Sequence, residues 1–207
     1  MALVKLNNRG VRSVSTFGSI SSLGTYTFIK KITASSSSTI SFVDGTSDVV
    51  LDDTYKEYLF TFNNIHPQTD NADFGFTLSI DSGSNYNVAK TSSYFNAYQN
   101  EAGTATALTY QTDYDLAQGT GAQFLLNDLG NDADQSGCGF LHLFDPSSAT
   151  YVKHFIFQGP IIVGGDFAAG NYMAGYGNTT SAVDAVQFSM NSGNIDAGDI
   201  CLYGIAW

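Results

Sequence analysis

Charge is what this sequence has least of. Only 13% of its 207 residues are Asp, Glu, Lys or Arg, about half the roughly 25% of an ordinary soluble domain. Coiled coils and helical bundles need many Lys, Glu and Leu, so this scarcity excludes both, and 43% apolar residues exclude a disordered chain. Basic residues are scarcer still: eight Lys and Arg stand against 19 Asp and Glu, a net charge of −11. Direct nucleic-acid binding by the molecule as a whole is therefore not expected. No run approaches the roughly 18 apolar residues of a membrane helix, so membrane insertion is not expected either. Two cysteines, Cys138 and Cys201, give no disulfide framework and read as reduced, small core residues.

What is abundant is glycine (21 residues) and aromatic side chains (14%). The length is that of one domain, enough to bury a core without staples. The few charges are unevenly placed. Residues 1–43 hold Lys5, Arg9, Arg12, Lys30 and Lys31 and no acid, whereas the rest holds all 19 acids and only Lys56, Lys90 and Lys153. A basic arm on an acidic body can dock on an acidic partner or on an identical neighbour, and it can equally lie on its own domain. The first ten residues, MALVKLNNRG, carry no apolar core or small-residue cleavage site of a secretory signal. The Ser/Thr/Asn/Gly/Tyr surface is nevertheless that of an extracellular β protein. A protein made in a cytosol and released by lysis, as a virus particle is, reconciles the two.

Residues 1–24 are polar and punctuated by Gly and Ser, which suggests an extended arm. Beyond them, short stretches alternate with period two, as half-buried strands do. Phe74, Phe76, Leu78 and Ile80 share one face; Tyr58, Phe60 and Phe62 share another, as do Val186, Phe188 and Met190. Less regular runs are 26–33, 39–43, 139–144, 151–158 and 199–205. Turn residues separate them: Asp44-Gly45, Asn63-Asn64 with Pro67, Asp81-Ser82-Gly83, Asp145-Pro146-Ser147, Gly164-Gly165-Asp166 and Ser192-Gly193-Asn194. No helix is expected beyond one turn within 51–58. Eight to ten short strands with uneven connections point to an all-β, antiparallel β-sandwich of jelly-roll type over 25–207, preceded by the arm.

Catalytic patterns are missing. His66, His142 and His154 form no His-x-His, and Glu57 and Glu101 are the only glutamates, so a three-ligand metal centre has no obvious donor set. His142 and His154 can face each other across a hairpin, but two His without a third ligand make a poor site. Asp132, Asp134 and Ser136 with Gly137 match the first half of a calcium loop, yet its twelfth position is Leu143 rather than the closing Glu. These three are the candidate metal ligands; the plainer reading is an acidic surface loop and no cofactor. No spacing selects a glycosidase carboxylate pair, and no G-x-S-x-G or phosphate loop occurs. An enzyme is not expected. Tyr86, Tyr94, Tyr98, Tyr110, Tyr114, Tyr172 and Tyr176 lie in or beside Gly/Asn/Ser-rich segments, the composition of sugar-binding surfaces and protein interfaces alike. Of these, Tyr86, Tyr94, Tyr98, Tyr172 and Tyr176 are the candidates for such contacts; the plainer reading is that most of these tyrosines close the ends of the sandwich.

Five segments carry a resemblance: MALVKLNNRGVRSVSTFGSISSLG, FIKKITASSSSTISF, DTYKEYLFTFNNIHP, GFLHLFDPSSATYVKHF and SGNIDAGDICLYGIAW. In this order, with the Ser run before Ile-Ser-Phe, a Tyr-x-x-Tyr opening a strand and a closing LYGI, the chain resembles small virion structural proteins of tailed phages, especially marine and cyanobacterial ones. Residues 81–137 are the most divergent. The resemblance implies a jelly-roll-like virion component without enzymatic activity, and it carries over no binding residues. The expectation is a capsid decoration or cement protein on the particle surface. Its docking residues are Lys5, Arg9, Arg12, Lys30 and Lys31, and its partner is the major capsid protein or a tail protein. Self-association, as a trimer, suits such a role. The alternatives are a tail-fibre or receptor-binding tip touching host surface glycan, or another carbohydrate-binding module.

Overall fold

Among the described residues, thirteen strands and no helix make up the fold, and every strand pairing is antiparallel. The structure is a computed structural model that describes residues 26–206. The expected arm, 1–24, with Lys5, Arg9 and Arg12, lies outside the described residues.

In chain order the strands are β1 (Tyr26–Thr33), β2 (Ile40–Val43), β3 (Glu57–Pro67), β4 (Ala72–Ser79), β5 (Lys90–Asn100), β6 (Thr106–Tyr110), β7 (Ala117–Gly119), β8 (Gln123–Leu129), β9 (Gly137–Phe144), β10 (Lys153–Val163), β11 (Phe167–Gly177), β12 (Ala185–Met190) and β13 (Ile195–Ile205). The large layer runs β1-β13-β3-β9-β10-β11-β5, with β6 and β7 both on the far edge of β5; the small layer runs β8-β4-β12-β2. Near its end β10 leaves β9 and meets β8 through Val163 opposite Leu129, so the two layers are stitched into one nearly closed sheet. The expected all-β antiparallel sandwich is what the chain forms.

The alternating aromatics explain how the layers hold. Phe60, Phe62, Phe155 and Phe157 project from the large layer, and Phe42, Phe74, Phe76 and Phe188 meet them from the small one, all buried. Ring centroids lie 5.2 Å apart for Phe60–Phe188 and Phe76–Phe155 and 5.4 Å for Phe62–Phe74, each edge-on. Such pairs add about 0.5–1.5 kcal/mol beyond the burial itself.

Three sequence expectations change. Strands β5, β6, β7, β8 and β11 were not anticipated, which raises the count above ten. Asn63-Asn64 is not a turn: it sits inside β3, where Asn64 takes φ +51° and the pairing with β9 slips between Phe62 and Ile65. Ile80 lies just past β4 and is exposed rather than in the core. The remaining turns hold, with left-handed φ at Gly45, Ser82, Gly83, Asp145, Asp166 and Gly193.

Candidate functional site

Two surfaces stand out, and both belong to the β5–β11–β10 part of the large layer. The first is its outer face. Strands β5, β6, β9, β10 and β11 contain no Asp or Glu at all. Their only Lys residues, Lys90 and Lys153, are fully buried. Cross-strand rows therefore present uncharged side chains: Tyr110, Phe95, Tyr172, Gln158 and Phe140 in one, and Leu108, Ala97, Gly170 and Pro160 in the next. Phe95 stacks on Tyr172 at 5.1 Å and 8°. Leu108 is 73% exposed and Tyr110 52%; Phe95, Phe140, Ile156 and Ile162 are exposed as well. On a chain of net charge −11, a face whose strands carry no acid is where an interface is expected; at its β6 edge Tyr110 OH donates to Asp115 Oδ2 at 2.6 Å. At the opposite margin His142 Nε2 lies 2.6 Å from Glu57 Oε2 at an angle outside hydrogen-bonding geometry.

The second surface is a cleft of about 320 Å³ at the end of the sandwich where the layers join. It is lined from β5 by Asn96 and Tyr98, from the segment after β6 by Gln111, Asp113 and Tyr114, from β8 by Asn127 and Asp128, and from β11 by Phe167. These strands turn polar side chains inward here. Tyr94 OH shares its one proton between Leu125 O (3.1 Å) and Asn127 Oδ1 (3.0 Å), and Asn171 Nδ2 donates to Leu125 O (3.3 Å). Asp128, at φ +51°, bends β8, and its N–H donates to Asp73 Oδ1 at 2.8 Å. Burial pushes the Asp73 carboxyl up to about 6; that N–H bond opposes the rise and the Asp128 charge adds to it. Tyr114 OH (3.1 Å) and Asn127 Nδ2 (2.9 Å) both donate to Asp128 Oδ2. Burial, with the charges of Asp73 and Asp128, raises the Tyr114 phenol well above its ordinary range, so it stays a donor.

The sequence candidates are scattered by this geometry. Lys31 forms an exposed ion pair with Asp199 at 3.0 Å, and Lys30, half-exposed on edge strand β1, has no acidic partner among the described residues. Of the seven tyrosines, Tyr110 lies on the outer face and Tyr114 lines the cleft, whereas Tyr94 is fully buried and cannot touch a ligand at the surface: its inward position on β5 places it between the layers. Tyr172 and Tyr176 lie on the outer face, Tyr98 lines the cleft against Phe167 (5.7 Å), and Tyr86 is half-exposed in the loop after β4. Asp132, Asp134 and Ser136 occupy the short turn before β9, closed by Gln135 N donating to Asp132 O at 2.9 Å. No group of three or more His, Cys, Asp or Glu positioned for a metal occurs among the described residues. His142 and His154 share the outer face without sharing a partner: His142 contacts Glu57 and stacks on Phe144 (4.4 Å), and His154 packs on Tyr176 (6.2 Å). Cys138 and Cys201 are free but half-buried rather than in the core, with Cys201 in register with the outward Thr61.

Sequence reasoning missed both surfaces. The signal for the face was present as acid-free stretches at 82–100, 146–165 and 167–183. The cleft had no such signal beyond Tyr98 and Tyr114, because its other polar groups arrive from strands that do not alternate cleanly and from the segment after β6. Comparison with known proteins returns no matching family model, no matching curated protein and no matching solved structure.

Proposed function

We propose that this protein is a non-enzymatic structural component of a phage particle, a capsid decoration protein seated on neighbouring shell subunits through the uncharged outer face of β6, β5, β11, β10 and β9. The observation that carries the reading is the absence of every acid from these strands in so acidic a chain. An acidic protein associates most readily where its own field is weakest, and exposed Leu108, Phe95 and Ile156 offer the apolar anchors that interface centres use. Five strands about 4.8 Å apart give a patch of roughly 20 by 30 Å, on the order of 600 Å², near the ~800 Å² per partner of a standard interface. The resemblance of the strand-and-turn segments to virion structural proteins supports the same reading. Residues Lys5, Arg9 and Arg12 add a basic arm to it, and self-association as a trimer is compatible with it.

The first test is the copy number per purified particle against the major capsid protein, by quantitative mass spectrometry. Near one copy per capsid subunit, or one per few, is expected. A few to a few tens per particle would move the protein to the tail, and absence from particles would end the reading. The second test is Leu108→Glu with Ile156→Glu. Both side chains point to solvent, so the melting temperature is expected to hold within a few degrees while incorporation into particles falls at least tenfold, the equivalent of about 1.4 kcal/mol.

A further inference from the structure

We infer that the cleft between β5, β8 and the segment after β6 is a binding site for a neutral saccharide, separate from the outer face.

The polar groups left over inside it define the ligand. Asn96 is 96% buried; its Oδ1 accepts a bond from Gln111 Nε2 at 2.9 Å, while its Nδ2 donates to nothing among the described residues and is not sealed from solvent. Gln111 Oε1, the Asp113 carboxylate and Asp128 Oδ1 are acceptors with no donor among the described residues. A set of one free amide donor and several free acceptors, held within one cleft by β5, β8 and the segment after β6, matches vicinal hydroxyl groups, which donate and accept together. Tyr98 and Phe167, in edge-to-face contact, supply apolar ring surface for the C–H face of a sugar. The charge selects further: both ionisable groups at the rim are acids and no cation lines the cleft, so phosphates, sulfated sugars and uronic acids are repelled. Phe167 also lines an adjoining hollow of about 340 Å³ with Gln99, Asn100, Glu101 and Asp166, which reaches the margin of the outer face at Ile162 and Ala168. The polar surface therefore continues past one sugar ring, as for an oligosaccharide rather than a free monosaccharide.

The test uses the full chain, free of particles, so it reads this site whatever the fate of the decoration proposal. Probes are an array of neutral hexose and N-acetylhexosamine oligomers, with sialylated and sulfated glycans and spermidine as comparators, followed by calorimetric titration of the best neutral oligomer. Neutral oligomers are expected to bind and the acidic glycans to fail. Asp113→Ala, at an exposed position with no hydrogen bond to lose, is expected to weaken binding about tenfold with an unchanged melting temperature. Tyr98→Ala is expected to weaken it by at least as much. Binding of none of the neutral oligomers at millimolar concentration would overturn the inference. So would binding that both variants leave intact, or binding of spermidine alone.

Discussion

Lys90 and Lys153 are the residues on which the fold acts hardest. They face Gly177 of β11 from opposite sides, one from β5 and one from β10. Neither has a carboxylate partner: Lys90 Nζ donates only to Val88 O at 3.1 Å, and Lys153 Nζ donates to the carbonyls of Ser148 (2.6 Å), Tyr151 (2.8 Å) and Thr179 (3.4 Å). Burial pulls Lys90 down to about 8 and lowers Lys153 as well. Because the folded chain holds the Lys90 proton less tightly than the unfolded chain does, stability rises as pH climbs from about 8 toward the ordinary lysine value of 10.5. Near pH 10 ionisation of tyrosines in the unfolded chain begins to oppose it, since Tyr58, Tyr94 and Tyr114 are all held protonated by burial when folded. The window to measure is therefore pH 8 to 9.5, by urea denaturation. Lys90→Met is expected to flatten the slope there and to raise stability at pH 7 by about 1–3 kcal/mol. An unchanged slope would show that the ammonium is solvated in the folded state.

Among the elements, legibility followed the side chains a strand turns inward. β3, β4 and β12 were readable because their inward positions are aromatic or aliphatic without interruption. β5 and β11 were not, because they bury Asn96 and Asn171 and place Gly175 and Gly177 where alternation needs bulk. A Cβ on Gly175 would stand 2.5 Å from Thr91 O and 2.7 Å from Phe155 Cε2, so close strand approach, not turn formation, demands that glycine. β10 was cut short in the sequence reading at Gly159-Pro160, yet Pro160 is accommodated where pairing with β9 skips from Gln158 to Ile161. β1 was read at its true limits, and it pairs with β13 over its whole length. Deletion of residues 1–24 is therefore expected to leave the far-UV circular dichroism and melting temperature unchanged. Deletion through Thr33 also removes the packing of Ile29 and Ile32 on the core and is expected to cost roughly 2–4 kcal/mol. Unfolding of the shorter truncation would make the arm part of the domain.

For the whole molecule, composition foretold an acidic β protein but not where its neutrality lies. The asymmetry in the sequence was read as a basic arm against an acidic body. Burial of Lys90 and Lys153, together with the Lys31–Asp199 and Lys56–Asp145 pairs, leaves the described surface with hardly a free cation and with one uncharged face. The two ways of docking respond to salt in opposite directions. Attachment through the charges of residues 1–24 weakens as salt rises, because solvent-exposed charge pairs are screened within about 10 Å at 0.1 M. Attachment through the uncharged face holds or strengthens, most clearly in sulfate. Particle-binding isotherms between low and high sodium sulfate are expected to show no loss of affinity for the chain lacking residues 1–24, and a steep loss would return the docking to charge.

The buried lysines carry one more consequence, which concerns resistance to proteolysis. Proteases that cut after Lys or Arg find no such residue beyond Lys153, and the Lys90 and Lys153 side chains are closed off between the layers. From the residue after Lys56 to the end of β13, the folded sandwich presents them no accessible cleavage point.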